Sequence, residues 1–138
     1  MTLGGTPPLS VLLVEDDLDG RRLYAQWLTA AGFHVQEAHN GLQALERAFD
    51  SRPDVVVTDL HIPGIDGFEL ARRLKQDPRT LDVPVLAVTG YVAFASDPGR
   101  ALRAGCDAVL PKPYSPEDLE AAIRNLIEER SRPLKNTR

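Results

Sequence analysis

Residues 53–70 read PDVVVTDLHIPGIDGFEL, and the order of residue types within them decides the fold. Val55, Val56 and Val57 are three β-branched residues in succession, the short apolar run of a strand buried on both faces. The run ends on Thr58 and Asp59, so a carboxylate stands where the strand leaves its sheet. Pro63-Gly64 turns the chain, and Asp66-Gly67-Phe68-Glu69 has the spacing of a helix N-cap with an acid at the third helical position. The stretch reads strand, acidic tip, loop, helix. Open α/β sheets bind ligands just beyond the carboxyl ends of their strands, and Asp59 sits at such an end.

The same grammar runs through the rest of the chain. Residues 11–14 form an apolar run that again closes on acid, Glu15-Asp16-Asp17. A helix follows, with Leu23, Tyr24, Trp27, Leu28 and Ala31 at helical spacing, until Gly32 stops it. Residues 33–38 alternate apolar and polar, as a shorter strand with a more exposed face does, and Asn40-Gly41 opens a helix carrying Leu42, Leu45, Ala48 and Phe49. After the strand at 55–59 comes a helix from Gly67 to about Gln76. Residues 85–88 make a fourth strand, ending on Thr89-Gly90, and 91–96 read as a loop. Asp97-Pro98 is the expected cap and first turn of a short fourth helix to about Ala104, closed by Gly105. Residues 108–110 give a brief fifth strand, followed at once by Pro111-Lys112-Pro113. Ser115-Pro116-Glu117-Asp118 starts the fifth helix, whose stripe is Leu119, Ala122, Ile123, Leu126 and Ile127. The pattern dissolves past Arg130.

Strict alternation of strand and helix predicts a parallel sheet with helices on both faces. The expected arrangement is the flavodoxin-like doubly wound α/β fold, (βα)5 with strand order 2-1-3-4-5. One domain is expected over residues 10–130, with 1–9 as a flexible lead and 131–138 as a flexible basic tail. At 138 residues, 43% hydrophobic and 26% charged, the chain has the size and composition of a single globular domain. No apolar run approaches the ~20 residues that span a bilayer, and a cytoplasmic setting is the default expectation. Net charge is −4, and with Arg132, Lys135 and Arg138 set aside the remaining residues 1–130 carry −7. Such a body offers no basic face for nucleic acid. The single cysteine, Cys106, excludes an internal disulfide and a cysteine-rich metal site and reads as a small packing residue.

The carboxyl ends of strands one, three, four and five carry Glu15 and Asp16, Asp59, Thr89 and Lys112. Each follows directly on an apolar run, so the fold itself gathers them at one sheet edge. Any one alone would be an ordinary solvated polar residue; five converging are a site. Carboxylates crowded together call for a cation, and a few carboxylates completed by water and phosphate are the habit of Mg²⁺. Lys112, held between two prolines, offers an ammonium to Asp59 or to phosphate oxygens. Thr89 offers a hydroxyl, and Gly90 leaves room beside it for a bulky ligand. Carboxylate, divalent cation, hydroxyl and ammonium suit phosphoryl transfer onto Asp59.

VLLVEDD, VVVTDLHIPGIDGFEL, PVLAVTG and VLPKPYSPEDL, in this order, resemble the receiver domain of bacterial two-component response regulators over about residues 10–129. The resemblance implies a phosphorylation-dependent signalling switch rather than an enzyme, with slow self-dephosphorylation at most. Asp59 is implied as the phosphoacceptor, supplied by a sensor histidine kinase or a phosphotransfer protein. Glu15 and Asp16 are implied as the acidic pair for Mg²⁺, Asp16 the more direct ligand, with the backbone carbonyl of His61 as a third ligand beside Asp59. Thr89 and Lys112 correspond to the switch hydroxyl and the phosphate-pairing lysine. A downstream protein target is expected on the face of the fourth helix, fifth strand and fifth helix, with a phosphorylation-linked dimer as a further option. Two other classes compete: a pseudo-receiver that binds partners without phosphorylation, and an aspartate-based phosphatase. The second lacks its usual acid/base aspartate, since that position is His61.

Three departures from the family pattern stand out. The switch aromatic falls on Val109, which has no ring to swing. The segment from Thr89 to Gly105 is about one residue longer than usual and contains Tyr91 and Phe94, which either supply the missing ring or pack against the fourth helix. His61 and Tyr91 flank the path of a water attacking an aspartyl phosphate and are expected to slow its hydrolysis. Tyr91→Ala should therefore shorten the lifetime of the phosphoryl group, measured as the rate of phosphate release; an unchanged rate would refute that role.

Overall fold

The computed structural model describes residues 7–90, 97 and 99–131. Five strands, β1 (Ser10–Val14), β2 (His34–Ala38), β3 (Val55–Asp59), β4 (Val85–Thr89) and β5 (Ala108–Pro111), form one sheet in the order β2-β1-β3-β4-β5. Every pairing is parallel, with Val11 opposite both Val35 and Val55, Val57 opposite Leu86, and Thr89 opposite Pro111. The helices are α1 (Leu18–Ala30), α2 (Gly41–Ser51), α3 (Gly67–Gln76), α4 (Arg100–Ala104) and α5 (Pro116–Ser131). This is the flavodoxin-like doubly wound fold that the alternation predicts.

The valine-rich strands are covered on both faces, which is why their runs are continuous. Alternate strand residues enter different cores. Val11, Leu13, Val55, Val57, Leu86 and Val88 meet Leu28 of α1 and Leu119, Ile123, Leu126 and Ile127 of α5. Leu12, Val14, Val56, Val85 and Ala87 meet Ala44 and Ala48 of α2, Leu70 and Leu74 of α3, and Ala101 of α4. The edge strands β2 and β5 are only partly covered.

Side-chain caps explain where four of the helices begin, since the first turn of a helix leaves N–H groups unpaired. Asp17, Asn40 and Asp66 accept from the backbone N–H of Gly20, Gln43 and Glu69 at 2.7–2.8 Å. Before α5 the exchange is reciprocal: Ser115 Oγ accepts from Asp118 N at 3.0 Å, and Asp118 Oδ2 accepts from Ser115 N at 3.2 Å. The fourth helix departs from expectation. It starts at Arg100 with Gly99 as a cap that makes no side-chain bond, while the carboxylate of Asp97 pairs with Arg103 at 2.6 Å. An arginine within reach takes the carboxylate that would otherwise have capped the helix. Tyr91 and Phe94 lie outside the described residues. Leu23 and Leu42, which fit the helical spacing of α1 and α2, are 45% and 57% exposed, so the face each helix buries is narrower than its apolar stripe.

Cys106 packs in the core beside α3 and α4 at 4% exposure, as a small apolar group would. Burial, then the neighbouring Asp107 charge, push its thiol from an ordinary 9.0 up to about 12. The thiolate is the reactive form, so alkylation of the native protein near pH 8 should be far slower than of the urea-unfolded chain and should accelerate only as pH approaches about 12. Mass spectrometry of timed iodoacetamide reactions measures this.

Candidate functional site

At the carboxyl edge of the sheet, β1, β3 and β5 each deliver one charged side chain to the same point. The ammonium of Lys112 lies 2.8 Å from Asp59 Oδ2 and 3.7 Å from Glu15 Oε1. Lys112 reaches this position because its backbone N–H donates to the Thr89 carbonyl at 2.9 Å, extending the β4–β5 pairing past Pro111. The other oxygen of Asp59, Oδ1, accepts from the backbone N–H of His61 at 2.9 Å, so the loop after β3 folds back onto the strand end. Glu15 is buried, and its Oε2 accepts from the backbone N–H of Asp17 at 3.1 Å. Arg21 donates to the Glu15 carbonyl at 2.8 Å and pairs with Glu37 at 2.9 Å, fixing the turn between β1 and α1.

The electrostatics follow from this geometry. Burial raises the Glu15 carboxyl above its ordinary value; the Asp17 N–H opposes that, the Asp59 charge adds to it and Lys112 opposes it again. Burial would lower Lys112, but its hydrogen bond to Asp59 and the charges of Asp59 and Glu15 outweigh that influence and hold the lysine above its ordinary value. The cation therefore stays charged, and the two carboxylates share it.

Asp16 occupies the same edge and is exposed, with its side chain close enough to Glu15 to push that carboxyl up further. Among the described residues, no three His, Cys, Asp or Glu side chains stand close enough to cage a metal ion by themselves. The oxygens gathered here, two carboxylates at the sheet edge with Asp16 beside them, are hard donors of the type that binds a divalent cation together with water. Thr89, at the end of β4, is 2% exposed, and its Oγ1 has no hydrogen-bond partner among the described residues. An unpaired buried hydroxyl costs about 1–3 kcal/mol, so Thr89 is poised to gain from an incoming acceptor.

Two glycines shape the site in ways that residue type alone conceals. A Cβ at Gly90 would sit 3.0 Å from Lys112 Cβ, so the space beside Thr89 read as room for a ligand is where the lysine stem passes. A Cβ at Gly67 would lie 2.5 Å from the Asp59 carbonyl oxygen and 2.7 Å from Leu60 Cα. The first turn of α3 thus presses directly on the end of β3, and its N-cap, Asp66, closes the loop that carries His61. In sequence Gly67 is only part of a helix start; its closeness to Asp59 arises from tertiary packing.

The model of the response regulator receiver domain matches residues 11–124. This chain belongs to that family. It is 36% identical over 108 residues to the polar-differentiation response regulator DivK of Brucella anthropi, covering 78% of this chain and 87% of that protein. It is 35% identical over 118 residues to the phosphate regulon transcriptional regulatory protein PhoB of Pseudomonas aeruginosa, covering 86% of this chain but only 51% of PhoB. The chemotaxis response regulator CheY4 of Vibrio cholerae superposes with TM-score 0.79 at 27% identity, over 86% of this chain and 98% of that one. The receiver domain of sensor histidine kinase PA1611 from Pseudomonas aeruginosa PAO1 gives TM-score 0.81 at 27% identity, over 88% and 98%, and that structure has a magnesium ion coordinated in its active site cleft. Receiver domains are signalling switches of two-component systems that interact with histidine kinases and downstream effectors. No helix among the described residues is long and apolar enough to cross a membrane.

Gly67→Ala should lower the stability of this receiver by about 1–3 kcal/mol, the usual range for overpacking a close backbone contact. The urea midpoint measures it; an unchanged midpoint would mean that β3 and α3 separate without cost.

Proposed function

We propose that Asp59 accepts a phosphoryl group from the phosphohistidine of a sensor kinase or phosphotransfer protein, and that the charge so gained switches the partner-binding surface. The observation that supports this best is the Lys112–Asp59–Glu15 contact: a partly exposed carboxylate, already joined to a cation, at the ligand-binding edge of a doubly wound sheet. In the transfer, the N–P bond of the donor breaks as an O–P bond forms to Asp59, and the imidazole leaves with the bonding electron pair. Lys112 moves from the carboxylate toward the phosphoryl oxygens, which carry roughly −1.5 to −2 charge. The hydroxyl of Thr89 then gains an acceptor.

Asp16, Asp59 and the main-chain carbonyl of His61 would hold Mg²⁺, with Glu15 acting largely through water. The magnesium in the PA1611 receiver domain supports this assignment by likeness. The bound ion would neutralise charge on the phosphoryl oxygens during transfer. Downstream partners would meet α4, β5 and α5, with a dimer linked to phosphorylation as one form of output.

Asp59→Asn should abolish the hydroxylamine-sensitive labelling obtained with acetyl phosphate and Mg²⁺, while leaving the circular dichroism spectrum and Tm close to those of the parent. Full labelling of the variant would overturn the acceptor assignment. Failure of the parent to label, together with no response to Mg²⁺, would favour an interaction module that works without phosphorylation.

A further inference from the structure

The turn that carries Asp16 is held by a cation that the phosphoryl chemistry above does not use. Arg21 lies in the first turn of α1, where its backbone N–H donates to the Asp17 carbonyl at 2.9 Å. Its guanidinium has two partners. Nη1 donates to the main-chain carbonyl of Glu15 at 2.8 Å, and Nε pairs with the carboxylate of Glu37, on β2, at 2.9 Å. The Arg21 side chain is 13% exposed, so most of it lies out of water. A guanidinium presents its donors in a fixed fork, so holding Glu37 at one edge aims another N–H at Glu15. The Glu15 main chain is thus held on both sides: its N–H donates to the Ala38 carbonyl at 3.0 Å, and its carbonyl receives Arg21. That carbonyl and the N–H of Asp16 belong to one planar peptide unit, so fixing the first sets the direction in which Asp16 leaves β1. Asp16 is itself exposed, so packing around its side chain contributes little to its aim.

We propose that Arg21, held in place by Glu37, is a positioning residue for Mg²⁺ that aims the Glu15–Asp16 turn at the ion. The inference rests on the reading that Asp16 and Asp59 hold that ion. Mg²⁺ demands near-ideal octahedral geometry at short distances, so a ligand free to wander costs affinity. Groups that orient metal ligands from behind typically change affinity by about 10–100-fold when they are removed. Electrostatics alone predicts the opposite sign. Arg21 is a cation bonded to the peptide unit that leads into Asp16, and a like charge near a bound cation weakens its binding. By charge alone, removing Arg21 would tighten Mg²⁺ binding; by loss of aim at Asp16, it loosens it. The arrangement also brings β2 into the site through Glu37, although β2 supplies no member of the Lys112–Asp59–Glu15 contact.

Arg21→Met keeps an apolar stem and removes both bonds. The Mg²⁺ dissociation constant of the full chain is measured by calorimetric titration without phosphodonor, well below Tm, and Tm is recorded on the same samples. For Arg21→Met the constant should rise about tenfold. Glu37→Ala should raise it by a smaller factor, and Glu37→Gln, whose amide oxygen still accepts from Arg21 Nε, should bind Mg²⁺ as the parent does. In labelling with acetyl phosphate, the Mg²⁺ concentration at half-maximal rate should rise with the dissociation constant, while the rate at saturating Mg²⁺ stays close to the parental one. A purely structural role would lower Tm and leave the dissociation constant unchanged. That outcome, or tighter Mg²⁺ binding by Arg21→Met, overturns the role of Arg21 while the metal and acceptor assignments stand. If Arg21→Met does not fold, the Glu37 variants decide: equal affinities of the Ala and Gln forms overturn the proposal. If the parent binds no Mg²⁺, the metal assignment fails and the role of Arg21 with it.

Discussion

The ammonium of Lys112, set between Asp59 and Glu15, is the interaction on which the functional end of the molecule depends. None of the three side chains is close to another in sequence. They meet because β1, β3 and β5 end at one level in a parallel sheet, and because the Thr89 carbonyl holds the backbone of Lys112 in line with β4. Two carboxylates this near each other would repel in a partly buried setting; the lysine removes that repulsion, and removing one member of such a group leaves the others uncompensated. The contact is therefore both a resting state for the acceptor and a store of charge that a phosphoryl group can redirect.

The surroundings make the redirection consequential. Asp59 is held from two sides, by Lys112 and by the N–H of His61, so a group added there disturbs both the β5–α5 link and the loop into α3. Thr89 buries a hydroxyl with no partner among the described residues, on the strand next to the lysine. A protein interior seldom leaves such groups unpaired. Here Thr89 stands at the sheet edge where new acceptor oxygens would arrive.

Much of the architecture was legible in residue order. Continuous valine runs marked buried parallel strands, Asn40, Asp66 and Ser115 marked helix starts, and strict alternation pointed to a parallel sheet with helices on both faces. Glu15, Asp59 and Lys112 were legible as neighbours because strand ends share an edge. What escaped depends on which tertiary partner arrives first. Asp97 has the chemistry of a cap, yet Arg103 claims it. Leu42 fits a helical stripe, yet it lies beyond the width that α2 buries. Gly67 looks like any glycine at a helix start until the end of β3 is placed against it. Tyr114 follows the lysine in sequence, and only the packed structure sets its ring against Tyr24.

The alternation of strand side chains between two cores has a thermodynamic corollary. Val56 and Val57 are covalent neighbours, but one belongs to the core under α2, α3 and α4 and the other to the core under α1 and α5. Truncations at such adjacent positions share few contacts, so their free energies should combine almost as if the sites were remote. Leu13 and Val57, 44 positions apart in the numbering but side by side in the sheet and in one core, should show measurable coupling. For this sheet, proximity along the chain is a poor guide to energetic kinship, and the parity of a residue within its strand is a better one.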